Sequence, residues 1–196
     1  ELSQGNFAFG DNKLAVDLGN TTSPRNITLK GQGRLVTNIT GSNLNILDVT
    51  DVAYGSGGIS GIIGLEDLTI SHTAPASGIG LDFSYGTPKL VRVSLPNAHA
   101  TETDKIGIKT DPENNACHGW FEDVRVLNYG TGFYLGSDHN ILLNPMCSLT
   151  TQDAYKFASY GFHNLLLNPM IYLSAAETAC NGYSGYSPGQ CCSIVN

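Results

Sequence analysis

The sequence predicts an all-β chain: a right-handed parallel β-helix of about six coils over residues 1–173, followed by an irregular Cys-containing tail or cap over 174–196. Three observations predict it. The octapeptide His139-Asn-Ile-Leu-Leu-Asn-Pro-Met146 returns as His163-Asn-Leu-Leu-Leu-Asn-Pro-Met170, offset by 24 residues, and repeats at such periods mark solenoids or arrays. Short segments of alternating apolar and polar residues recur along the chain, which is the period of a strand. Nowhere does a segment carry apolar residues at the spacing of an amphipathic helix.

Two strand families alternate. One comprises Arg25-Asn-Ile-Thr-Leu29, Glu66-Asp-Leu-Thr-Ile70, Lys89-Leu-Val-Arg-Val93, Glu122-Asp-Val-Arg-Val126 and the two octapeptides. The other comprises Leu14-Ala-Val-Asp-Leu18, Ile46-Leu-Asp-Val49, Ile79-Gly-Leu-Asp-Phe83, Ile106-Gly-Ile-Lys109, Phe133-Tyr-Leu135 and Tyr155-Lys-Phe157. Their starts are 32, 33, 27, 27 and 22 residues apart, so the connections shorten toward the C-terminus. An antiparallel sandwich would also space short strands regularly, but its hairpin dipeptides Asn-Gly and Asp-Gly join no two strands here.

Composition narrows the class. Charged residues are only 14% against 41% hydrophobic, where a soluble domain normally carries about a quarter charged; Asn, Ser, Thr and Gly supply the polar surface, as suits extracellular β-structure. A net charge of −7 with ten dispersed Lys and Arg argues against nucleic acid as a partner. No run of 18 apolar residues offers a membrane-inserting span. Glu1 opens directly into polar sequence without a signal-peptide pattern, which suggests a processed form or a fragment of a longer chain.

The five cysteines, Cys117, Cys147, Cys180, Cys191 and Cys192, include no C-x-x-C pair, so no metal site is expected from them. Their concentration near the C-terminus makes them disulfide candidates in an oxidising compartment, with one left over. Asn20, Asn26 and Asn38 begin glycosylation sequons. Gly31-Gln-Gly33 precedes no helix, no Gly-x-Ser-x-Gly elbow occurs, and no cofactor is expected.

With these residues in view, the chain resembles a known family. Asn26-Ile-Thr-Leu-Lys-Gly-Gln-Gly-Arg-Leu-Val-Thr-Asn-Ile39 and Gly61-Ile-Ile-Gly-Leu-Glu-Asp-Leu-Thr-Ile70 are similar to successive coils of pectate-lyase-like β-helices. Trp120-Phe-Glu-Asp-Val-Arg-Val-Leu-Asn-Tyr-Gly-Thr-Gly-Phe-Tyr-Leu135 resembles a later coil of bacteriophage tailspikes and tail fibres. The resemblance spans roughly residues 5–173 and implies a homotrimer on a virion or another extracellular surface. It also implies binding, and in many members cleavage, of cell-surface polysaccharide. The combined Asn-Thr-Asp, Asp-Asp, His-Gly and Arg-Ile-Lys set of polygalacturonases is absent, as is the contiguous calcium-binding Asp cluster of secreted pectate lyases.

In such a stack, equivalent positions of neighbouring coils lie about 4.8 Å apart and form columns. Asp17, Asp48 and Asp82, followed by Lys109, are expected to form one; carboxylates about 5 Å apart fit a retaining glycosidase and make these three the catalytic candidates. Plain solvation or ion binding is the ordinary reading of such outward aspartates. A second expected column is Arg25, Glu66, Lys89, Glu122, His139 and His163, read as register-setting charge. A third is Asn26, Asp67, Asp123, Asn140 and Asn164, interrupted by Leu90 and read as architectural. Outward positions Thr28, Thr69, Arg92, Arg125, Leu142 and Leu166 grow apolar toward the C-terminus, where a neighbouring subunit would pack. Tyr85, Trp120, Tyr129 and Tyr134 lie near acidic residues and are the glycan-stacking candidates. Beside the tailspike reading stand a secreted monomeric polysaccharide lyase or hydrolase and a structural β-solenoid with no active site.

Overall fold

The computed structural model describes residues 1–10, 14–17, 19–20, 23–24, 26–41, 45–50, 61–73, 78–83, 86–98, 105–110, 118–158, 163–172, 181–185 and 192–196. Among them every regular element is a strand, and all pairings but one are parallel. The exception joins β3 (Gly19–Asn20) to β4 (Ser23–Pro24).

The parallel strands form three flanks. The first runs through β5 (Ile27–Lys30), the leading halves of β8 (Ile62–His72) and β10 (Thr87–Pro96), β12 (Trp120–Glu122), β15 (Ile141–Leu143), β18 (Leu165–Leu167) and β21 (Ser193–Val195). The second runs through β1 (Gly5–Gly10), β6 (Thr37–Gly41), the trailing halves of β8 and β10, β13 (Arg125–Leu127), β16 (Met146–Ser148) and β19 (Met170–Tyr172). Since β8 and β10 belong to both, these two flanks count as one 12-stranded sheet. The third is a 7-stranded sheet of β2 (Leu14–Asp17), β7 (Asn45–Thr50), β9 (Gly78–Phe83), β11 (Lys105–Thr110), β14 (Thr131–Leu135), β17 (Asp153–Phe157) and β20 (Asn181–Ser184). Each repeat therefore holds three strands where the sequence suggested two. β20 and β21 also extend the stacks into the segment expected to be an irregular tail.

The extra strand comes from a corner in the first family. Asp67, Arg92, Asp123, Asn144 and Asn168 all have φ between 49° and 54°, a left-handed conformation that Asn and Asp tolerate better than most residues. One residue is spent turning, so Leu65, Leu68 and Ile70 all reach the core although they do not share one alternation. Arg92 is the outlier by type. Its guanidinium grips Asp67 through Nε to Oδ1 and Nη2 to Oδ2, the latter at 2.8 Å, and this bond holds the Asp67 carboxyl below its usual range. Further along, Asn144 Nδ2 donates to Asp123 Oδ1 at 3.1 Å and Asn168 Nδ2 to Asn144 Oδ1 at 3.3 Å.

This corner displaces two expected columns. Glu66 and Glu122 both stand opposite Val91, in one file with Lys30 and Leu143, whereas Lys89 pairs with Gly64 and Trp120 and His139 precedes β15, so Lys89 and His139 leave the expected column. Lys89 still reaches Glu66 diagonally at 3.5 Å. Asp123 aligns with the corner, whereas Asn140 and Asn164 form a separate buried ladder. Leu142 and Leu166, expected outside, are fully buried; Ile141, Leu143, Leu165 and Leu167 face out and are half-buried. Arg25 lies outside the described residues.

Inside, each flank contributes a file of apolar side chains: Leu65, Leu90, Phe121, Leu142 and Leu166 from the first, Leu95, Val126 and Cys147 from the second, Leu81, Ile108, Phe133 and Tyr155 from the third. A second left-handed position, Asn128 (φ 63°) and Leu149 (φ 55°), leads into the third flank. Leucine bears the Cβ clash of that conformation there, worth about 1–2 kcal/mol. Leu149→Asn, copying Asn128, is therefore expected to raise unfolding stability by about 1 kcal/mol, seen as a higher urea midpoint.

Candidate functional site

The connection 31–36 between β5 and β6 lies across the second flank. Gly31 N–H donates to the Glu66 carbonyl at 2.9 Å and Gly33 N–H to the Asp67 carbonyl at 2.8 Å. A Cβ on Gly31 would sit 2.5 Å from the Asp67 carbonyl oxygen, so only glycine lets the segment lie so close. Thr69 Oγ1 donates to the Arg34 carbonyl. Anchored in this way, Arg34 extends along the stack until its Nη1 donates to the Asp123 carbonyl at 2.9 Å.

Between this segment and the flank opens a cleft of about 480 Å³, lined by Gln32, Arg34, Leu35, Thr69, Ser94 and Arg125 among others. Its floor is one register column, in which Thr69 pairs with Ser94 and Ser94 with Arg125. Burial and the neighbouring Arg125 push the Arg34 guanidinium below its ordinary pKa, yet arginine stays cationic in proteins. Two guanidinium groups, the Ser94 hydroxyl and a 99%-exposed Leu35 at the rim meet in this cleft. Arginine presents a planar donor fork matched to carboxylate or sulfate.

The expected catalytic column forms only in part. Asp48 pairs with Asp82, and Asp82 with Lys109, whereas Asp17 stands opposite Thr50 and Ala15 opposite Asp48. The two-residue displacement removes Asp17 from the file. Asp82 is buried, at 8% exposure. Below Lys109 the file continues through Tyr134 and Lys156, with Lys156 Nζ 5.9 Å from the Tyr134 ring centroid.

Of the aromatic candidates, Trp120 is exposed on the first flank, its Nε1 donating to Glu122 Oε2 at 3.2 Å. Tyr134 is half-buried on the third. Tyr129 is wholly buried and lies 6.0 Å from the His72 ring; it packs the core and cannot stack on a sugar. Burial drives its hydroxyl far above the usual tyrosine range. Tyr85 lies outside the described residues. Cys147 and Cys192 are buried, with Cys147 Sγ donating to the Ala154 carbonyl at 3.1 Å; Cys117, Cys180 and Cys191 fall outside the described residues.

Sequence reasoning missed Arg34 because its partner is 89 residues away. The available signal was Gly31-Gln-Gly33, which marks a segment pressed against other backbone. Comparison with family models, curated proteins and solved structures finds no match.

Proposed function

We propose that the chain winds as a right-handed parallel β-helix whose second flank binds an acidic cell-surface polysaccharide, in the manner of a tailspike or tail fibre. The handedness follows from the strong bias of parallel crossovers. The observation that carries the binding reading is the cleft holding Arg34 and Arg125 above a file of hydroxyl side chains. Such a groove suits a uronate chain: guanidinium groups take the carboxylates and Thr69, Ser94 and Gln32 take hydroxyls. Trimeric assembly at an extracellular or virion surface belongs to the same proposal. It is supported by the outward apolar column of Ile141, Leu143, Leu165 and Leu167, a patch that a partner subunit would cover. Binding without cleavage is the reading preferred, because Asp82 is buried and faces Lys109 in register.

Calorimetric titration with polygalacturonate and with neutral dextran tests this. Polygalacturonate is expected to bind, to weaken as salt is raised, and to lose at least about tenfold in affinity in the Arg34→Ala/Arg125→Ala double variant. Equal binding of dextran, or undiminished binding by the double variant, would sink the cleft as the site. Shortening of the polymer during incubation, abolished by Asp82→Asn, would replace binding by depolymerisation.

A further inference from the structure

His118, His139 and His163 occupy one turn position in successive repeats, with φ of 65°, 56° and 52°, each just ahead of a first-flank strand. The repeating backbone stacks their rings: centroids are 5.1 Å apart from His118 to His139 and 4.6 Å from His139 to His163, with planes within 20°. Asp138 inserts its carboxylate beside this file. Oδ2 lies 3.0 Å from His139 Nδ1 and Oδ1 lies 3.0 Å from His163 Nδ1, while Oδ1 also accepts the His139 backbone N–H at 2.9 Å. Ligand atoms from all three residues fall within 4.8 Å of one another.

We propose that Asp138, His139 and His163 bind a divalent first-row transition ion, Zn²⁺ being the one best suited. Two imidazole nitrogens and a carboxylate are borderline donors, which favour zinc, cobalt, nickel or copper over magnesium or calcium. The spacing brings the three within reach of a shared ion: donors bonded to a tetrahedral zinc at about 2.0–2.2 Å lie about 3.3–3.6 Å apart, close to the two 3.0 Å N···O contacts that join the trio. The rings are stacked within 20° of parallel, and being half-exposed they have room to tilt out of the stack so that both Nδ1 lone pairs converge on an ion beside the carboxylate. In a neutral ring the proton then resides on Nε2, and water fills the remaining positions. Because the ligands come from adjacent repeats, the ion would clamp one repeat to the next. The site lies apart from the Arg34 cleft and is independent of the glycan proposal.

Titration of the whole chain with ZnCl₂ alone tests it. One saturable ion per chain is expected, with affinity at least about tenfold weaker in His139→Ala and in His163→Ala, near wild-type affinity in His118→Ala, and no heat from MgCl₂. No saturable zinc binding, or wild-type affinity in the His139→Ala/His163→Ala variant, overturns the proposal. Should a variant fail to fold by circular dichroism, imidazole ¹⁵N resonances of the unmodified protein decide. Zinc-induced shifts must fall on the Nδ1 atoms of His139 and His163, and shifts confined to other histidines overturn it.

Discussion

Phe133→Ala is expected to lower unfolding stability by about 3–5 kcal/mol, the usual range for truncating a buried phenylalanine. Phe133 is fully buried in the third flank, with its ring centroid 5.4 Å from Tyr155 in a stack and 6.2 Å from Phe121 edge-on. It therefore ties its own flank to the first and its repeat to the next. Neighbours cannot collapse into the gap without breaking the parallel registers on either side. Urea unfolding followed by circular dichroism reads the loss as a lower midpoint. A change below about 1 kcal/mol would mean that this ring is not packed as described.

Asn140→Leu is the second large effect, near 2–4 kcal/mol, and it arises from polarity rather than volume. Asn140 is fully buried, and its side chain joins its own turn to the turns at Gly119 and Asn164. Nδ2 donates to the Ser137 carbonyl at 3.1 Å, to Ser137 Oγ at 3.0 Å and to Asn164 Oδ1 at 2.8 Å, while Oδ1 accepts the Gly119 N–H at 3.1 Å. Leucine fills similar space and strands the Gly119 donor, and each such orphan costs about 1–3 kcal/mol. Hydrogen exchange gives a local readout: the Gly119 amide should lose protection by more than the global destabilisation explains. Unchanged protection there would show that Asn140 does not cap the strand above it.

The third flank was the most legible part of the sequence. All six of its expected strands occur, since Leu81, Ile108, Phe133 and Tyr155 sit in unbroken alternations. First-family segments were harder, because Glu66-Asp-Leu-Thr-Ile70 scans as one alternating strand while Asp67 turns a corner inside it. A single left-handed residue shifts the side-chain parity. Reading the segment without that turn sets Lys89 level with Glu66, and Asp123 with Asn140. The shared Asn-Pro of the two octapeptides, Asn144-Pro145 and Asn168-Pro169, was the better anchor. Tyr129 was misjudged because the space for its ring is made elsewhere: a Cβ on Gly80 would come 2.8 Å from its hydroxyl. The Asp138–His139–His163 cluster has no local signature in the sequence because His163 joins it from the next repeat.

The regular parallel pairing of β15 with β18 and of β16 with β19 has a mechanical consequence. If the chain winds as the proposed β-helix, strands paired with their predecessor and successor can be peeled one repeat at a time when the chain ends are pulled apart. The step from Asn144 to Asn168 spans 24 residues, and releasing it adds about 80 Å of contour length at roughly 3.3–3.6 Å per residue. Under tension the chain would then yield by discrete extensions, shedding load repeat by repeat before its whole body opens.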